Sequence, residues 1–287
     1  SWQASFKSTE GSGMEIKALK ENTPLSKAGL QIGDKILHVD HQQIGDIHNW
    51  HDISDNLVGG KDLILGVEKD GVYTNISARF NKHPLEKYDS LFVEYGHINN
   101  GNKLKQRTIL TFPKNTQTNK KESKLAAIFF VQGLSCSSIE VLPHSQSNYN
   151  KMIKMLVMNA NMFVMRVEKP GMGDSNGKCS QTDFKTELEG YELALQKLME
   201  DPRIDNTRIL VYGNSLGSAI APYLVNKFKL NGLISDGTYF KSWFEHMLEI
   251  ERRIKQMSGL TEAEISKQMN TAYIPLYYGM LIQKRSY

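Results

Sequence analysis

The sequence predicts an α/β protein in two units: a small β-rich unit, then a doubly wound, mainly parallel sheet carrying a helical cap. Three observations carry this expectation. Before "NKHPLEKYDS" (Asn81–Ser90), segments are short and turn signals recur roughly every eight to twelve residues. After it, apolar strands such as "LAAIFFV" (Leu125–Val131) alternate with longer amphipathic stretches. One strand, "RILVY", runs straight into Gly213-Asn214-Ser215-Leu216-Gly217 and an apolar helix. His83-Pro84 is the expected joint, because the residue before proline avoids helix. The units are then 1–84 and 85–287, with the cap at about 241–287.

Composition excludes several classes of function. A chain of 287 residues, 40% hydrophobic and 23% charged, can bury a real core in each of two units. Its net charge of +4 provides no concentrated basic face for nucleic acid. The longest apolar run, Leu125–Val131, falls far short of the ~20 residues a membrane-spanning helix needs. His48 and His51 in "HNWH" lack further ligands, and Cys136 and Cys179 are not at zinc spacing. No metal and no cofactor is expected.

In the first unit "GMEIKAL" reads as a strand and "TPLSKAGL" as a short helix. Pro24 suits its first turn, and Gly29 can end it in the left-handed conformation. "QIGDKILHVDHQQI" follows as turn, strand, tight turn and strand. Next comes a helix with Trp50, Ile53 and Leu57 on one face, stopped by Gly59-Gly60. "DLILGVEKDG" and a hairpin into "YTNISARF" complete the unit. This order, and "TPLSKAGLQIGDKILHVDHQQI" above all, resembles a PDZ domain of the bacterial type over about Trp2–Phe80. The resemblance implies a groove between a sheet edge and a helix, where a C-terminal peptide adds as a strand. The edge would be Met14–Leu19, with Met14, Glu15 and Ile16 facing Trp50, Ile53 and Leu57. The loop "KSTEGSG" would offer N–H groups to a terminal carboxylate. Docking against the chain's own second unit, as an intramolecular ligand, is the other reading of this surface.

In the second unit "LFVEYGHI" and "QRTILTFPKN" pair as early strands, and "NTQTNKKESK" is a solvated charged loop. "LAAIFFVQG" and "FVMRVEKPGMGDS" are buried strands running into loops. "TDFKTELEGYELALQKLME" is helical, with Phe184, Leu188, Tyr191, Leu195 and Leu198 on one stripe and Thr182 or Asp183 as cap. Gly213-x-Ser215-x-Gly217 then sits between a strand and the helix "LGSAIAPYLVNKF". That is the context in which a tight turn presents a nucleophilic serine.

With this motif, "FFVQGLSCSS" after the third strand and "EKPGMGDSNG" after the fourth, the chain from about Leu91 onward resembles the α/β-hydrolase superfamily. The resemblance implies Ser215 as nucleophile and the backbone N–H groups of Leu216 and Leu134 as oxyanion donors. A histidine more often fills the Gln132 position. Cys136 and Cys179 would lie in neighbouring loops at one sheet edge, either bonded or as two free thiols; a bond would place the protein outside a reducing compartment. The serine needs a histidine base and an acid. After Ser215 only "LNGLISDGTY" reads as a strand, and the rest is helical, as a cap over the active site. The acid and histidine are therefore expected beyond Tyr287, in a chain cut before its catalytic end. Asp236 is the alternative acid, and His246, in the first cap helix, does not fit the triad spacing. The expected function is a serine esterase or acyl hydrolase for a small ester, thioester or peptide. The alternatives are a peptidase of the same fold and a non-catalytic PDZ adaptor on a degenerate hydrolase fold.

Overall fold

The structure, a computed structural model, describes residues 2–9, 13–55, 57, 59–81, 85–101, 104–114, 124–141, 148–238 and 241–282. The joint at His83-Pro84 and most of the charged loop at 115–124 lie outside the described residues.

The first sheet is antiparallel, with β1 (Ala4–Ser8), β2 (Met14–Leu19), β3 (Lys35–Val39), β5 (Asp62–Lys69) and β6 (Val72–Arg79) in that order. The short β4 (Gln42–Gln43) pairs with β3. The helix α1 (Pro24–Lys27) begins at Thr23, whose hydroxyl accepts from Ser26 N–H while Ser26 Oγ accepts from Thr23 N–H. That reciprocal cap, with Pro24 in the first turn, makes a four-residue helix worthwhile. Met14, Ile16, Leu25, Ile36, Leu65 and Val67 are fully buried, and α2 (Ile47–Asp55) closes this core with Trp50 and Ile53.

The second sheet runs in the order β12-β11-β9-β10-β8-β7. Its strands are β7 (Leu91–Asn100), β8 (Leu104–Pro113), β9 (Leu125–Val131), β10 (Phe163–Val167), β11 (Ile204–Asn214) and β12 (Gly232–Asp236). β8 is antiparallel to both neighbours, and β10, β9, β11 and β12 are parallel. Alternation along β9 serves both faces. Phe129 and Val131 pack with α4 (Phe184–Met199) and α5 (Gly217–Phe228), while Ile128 and Phe130 pack with α3 (Asn148–Asn159). Asp183 caps α4, its carboxylate accepting from Thr186 N–H at 2.7 Å.

The chain leaves β9 for β10 on one side, then returns to β11 on the other. The loops after β9 and β11 therefore part at a topological switch point, where open α/β sheets place their ligands. Three further helices, α6 (Trp243–Met257), α7 (Glu262–Gln268) and α8 (Ile274–Ile282), pack on one another. Tyr277 OH donates to Glu251 at 3.0 Å and Arg252 pairs with Glu262 at 3.1 Å.

Candidate active site

The turn after β11 holds Ser215 at φ +51, in the left-handed region that costs a side-chain-bearing residue about 1–2 kcal/mol. Neighbours fix it there. Ser215 N–H donates to Asp236 O at 2.8 Å, and Ser215 O accepts from Ser218 N–H at 2.9 Å. Glycine is required on both sides by close backbone approach. A Cβ on Gly217 would lie 2.3 Å from Val131 O, and one on Gly213 would lie 2.4 Å from Gly217 O. Leu216 then heads α5.

The loop after β9 meets this turn. A Cβ on Gly133 would come within 3.0 Å of Ser215 Cβ, so the two segments touch at their tips. Together with Asn150 of α3 they line a cavity of about 400 Å³, walled by Gly133, Leu134, Ser135, Asn214 and Ser215, with Ser137 and Ser138 behind. Leu134 and Ser215 thus line one cavity, and Leu216 follows directly on Ser215 at the head of α5. None of the cavity's lining residues comes from α6–α8. α6 packs against α7 and α8.

Asp236 ends β12 beside the serine turn. Its Oδ2 accepts from Asn214 Nδ2 at 2.8 Å and from Tyr212 OH at 3.3 Å. His246 lies on α6, its ring 6.3 Å from that of Trp243. Among the described residues, no histidine lines the cavity. Gln132, where a histidine is more usual, is fully buried and donates from Nε2 to Ser137 O at 2.9 Å, tying the loop to itself.

Beneath this loop lies a buried set of charges. Arg166, from the middle of β10, makes a two-pronged pair with Glu86 at 2.6 and 2.8 Å and donates to Ile139 O at 3.0 Å, with both charged side chains fully buried. Arg107 pairs with Glu140, and Tyr95 OH donates to the same carboxylate at 2.6 Å. Glu168 accepts from Ser138 Oγ and from Ile139 N–H. Lys169 pairs with Glu187 at 2.9 Å. Reading the sequence by apolar pattern passed over all of these. The available signal was a charge inside an apolar strand, Arg166 in "FVMRV".

Burial pushes the Glu168 carboxyl above the ordinary carboxylate range, against the opposing pull of its Ser138 and Ile139 hydrogen bonds and of Arg107. A raised folded pKa adds stability below the unfolded value of about 4.3 and loses it as pH rises through the folded value. Glu168→Gln keeps an acceptor for Ile139. Its unfolding free energy relative to wild type should therefore increase from pH 4 towards neutrality. Urea denaturation across that range reads the difference directly, and a flat difference would contradict it.

Cys136 and Cys179 form a disulfide, with Cα atoms 5.7 Å apart and a sequence separation of 43. It joins the loop after β9 to the short 3-10 turn Cys179–Gln181. Closing a loop of this length stabilises by up to about 4 kcal/mol in the chain-entropy account. The double variant Cys136→Ser/Cys179→Ser should lose roughly 2–4 kcal/mol in denaturant titration, and wild type should lose as much on reduction. Equal midpoints for reduced and oxidised protein would refute this.

In the first unit the expected edge is not free. β2 pairs along its length with β1, from Ala4↔Leu19 to Ser8↔Met14, and Met14 and Glu15 also pair with β3. Met14 and Ile16 point into the core rather than towards a ligand, and Glu15 pairs with Lys17 at 2.5 Å. Trp50 and Ile53 are buried with them, and Leu57 packs at the margin. The outer strand is β1, which the sequence reading missed because "ASFKS" is short and carries no turn residue. Its Phe6 ring lies 4.7 Å from Trp50, and Trp2 packs on Trp50 at 4.8 Å and donates from Nε1 to Ser54 Oγ at 2.5 Å. Glu10, Gly11 and Ser12 of the expected carboxylate loop lie outside the described residues.

Residues 15–68 match the family model of the PDZ domain. The N-terminal unit is a PDZ domain. The sheet that follows it has the strand order of the α/β-hydrolase fold, with an antiparallel second strand, four parallel strands and a serine turn after the fifth. The protein bem46 of Schizosaccharomyces pombe is 34% identical over 84 residues, which is 29% of this chain; the match spans about a quarter of that protein's length (26%). An esterase of Pyrococcus furiosus aligns with a TM-score of 0.42 at 17% identity, over 69% of this chain and 68% of its own. A putative hydrolase from Agrobacterium vitis S4 aligns with a TM-score of 0.40 at 14% identity, over 63% of this chain and 62% of its own. Among the described residues, no helix is long and apolar enough to cross a membrane, and no cluster of three or more His, Cys, Asp or Glu side chains could hold a metal.

Proposed function

We propose that the protein is a serine hydrolase of the esterase or acyl-hydrolase type, working through an acyl-enzyme. One observation carries the reading: Ser215, held at φ +51 at the switch point, shares a cavity with Leu134. In this mechanism Ser215 Oγ attacks the carbonyl carbon of an ester, thioester or amide, and its proton passes to a base. The carbonyl oxygen becomes an oxyanion, stabilised by the Leu134 and Leu216 N–H groups. The tetrahedral centre collapses, the leaving group departs with the proton from the base, and water then cleaves the acyl-serine by the same steps in reverse roles. This chemistry needs a histidine as base and a carboxylate to orient it, and Asp236, whose backbone carbonyl accepts from Ser215 N–H, is the alternative acid. The division of labour follows 1–84 and 85–287, the PDZ domain docking a peptide or partner along β1.

A second reading, an adaptor without turnover, draws on the lack of a cavity-lining histidine among the described residues. A fluorophosphonate probe separates the two. The whole protein should be labelled on one peptide, and Ser215 should carry the phosphonyl group by mass spectrometry. No labelling, or labelling elsewhere, would sink the hydrolase reading and leave the adaptor.

A further inference from the structure

Lys169 is an unusual lysine: it is 2% exposed and comes from the loop that follows β10. Its Nζ donates to Gly133 O at 2.9 Å and pairs with Glu187 Oε1, from α4, at 2.9 Å. Glu187 is itself 2% exposed. Gly133 is the residue whose carbonyl shares a peptide unit with the Leu134 N–H.

That shared unit has a consequence. A trans peptide is planar, with its C=O and the following N–H pointing in opposite directions. Holding Gly133 O on Lys169 therefore turns the Leu134 N–H away from Lys169. Gly133 and Leu134 both line the cavity that contains Ser215, so the open side is the side where charge would develop. A cation on the carbonyl also polarises the peptide and strengthens its N–H as a donor, an effect enhanced in a dry interior.

We propose that Lys169, braced by Glu187, is a positioning residue for the oxyanion: it sets the Gly133–Leu134 peptide so that the Leu134 N–H faces Ser215. The proposal rests on the serine-hydrolase reading above and adds to it the device that aims one of its two donors. Lys169 touches no reacting atom and acts only through the peptide it holds. A glycine at 133 suits this arrangement, since any side chain there would press on Ser215 and Asn214.

The test compares wild type with Lys169→Met, Lys169→Arg and Glu187→Gln in the whole protein, with melting curves to confirm folding. Lys169→Met should slow fluorophosphonate labelling of Ser215 and lower kcat for a p-nitrophenyl ester on the order of 10²-fold, the scale of one lost or misaimed donor. KM should hardly change, and affinity for a phenylboronic acid, which forms a tetrahedral adduct on the serine, should fall in parallel with kcat. Lys169→Arg, which keeps the charge, should recover part of the loss. If Lys169→Met does not fold, Glu187→Gln gives the same reading with the lysine retained but unbraced. A folded variant with kcat and boronate affinity near wild type would overturn the proposal alone. Absence of labelling in wild type would overturn the serine reading and this proposal with it.

Discussion

Ser215→Ala should lower kcat/KM for a p-nitrophenyl ester by about 10⁴-fold or more, with the melting temperature essentially unchanged. The size of the loss follows from the role. Without the hydroxyl no acyl-enzyme forms, and only binding and the oxyanion donors remain to assist water. The unchanged stability follows from the packing: Ser215 is fixed by its backbone, through Asp236 O and Ser218 N–H, and its side chain faces the cavity. A second variant separates nucleophile from turn. At φ +51 alanine keeps the strain and glycine relieves it, so Ser215→Gly should be inactive yet about 1 kcal/mol more stable than Ser215→Ala. For a unit of this size that is roughly 2–4 °C in melting temperature. Retained activity in Ser215→Ala would remove the serine from the chemistry. Equal stability of the two variants would remove the strain from the turn.

The second large effect is on stability. Glu86→Ala is expected to destabilise the hydrolase unit by about 3–5 kcal/mol, because it leaves the Arg166 guanidinium charged and buried with no counter-charge on it. Arg166 is 0% exposed, and the carboxylate removed accepts two of its N–H groups. The same carboxylate accepts from Val141 N–H, and Arg166 in turn holds Ile139 O, so the loop that carries Leu134 should loosen as well. The double variant Glu86→Leu/Arg166→Met should recover most of the loss, since the pair's mutual attraction is offset by the cost of drying both charges. Urea titrations of Glu86→Leu, Arg166→Met and the double variant give the coupling directly. A loss under about 1 kcal/mol in Glu86→Ala would mean that water reaches Arg166 after all.

Much of this molecule was legible because its determinants are local. A strand that ends in Gly-x-Ser-x-Gly and continues as an apolar helix has few ways to turn, so "RILVYGNSLGS" disclosed both the tight turn and the residue at its tip. Thr23-Pro24 and Gly29 bounded α1, and Asp183 capped α4, because caps act on the nearest turn. An uninterrupted apolar run marked a buried strand such as Leu125–Val131, and an apolar stripe at spacings of four and three marked α4.

The peptide edge was misplaced for the opposite reason. Whether Met14–Leu19 is an edge depends on what pairs outside it, and β1, with no turn residue to announce it, pairs there. The charge network was missed because an arginine within an apolar strand has no local meaning: Arg166 is explained only by Glu86, eighty residues earlier in the chain.

By itself, the sequence determined the two fold classes, the PDZ-like order of the first unit, the strand–turn–helix around Ser215 and the identity of the nucleophile candidate. The strands, helices and turns follow from backbone preference and periodicity over a few residues, and the PDZ-like order and the nucleophile candidate from the resemblances that the local motifs carry. Tertiary structure alone decided which strand lies outermost in the PDZ sheet, that the loop after β9 touches the serine turn, and that Lys169 and Arg166 reach that loop from below. These are contacts between segments far apart in the chain, and no local pattern encodes them; they exist because burying a charge is tolerable only where a distant partner meets it.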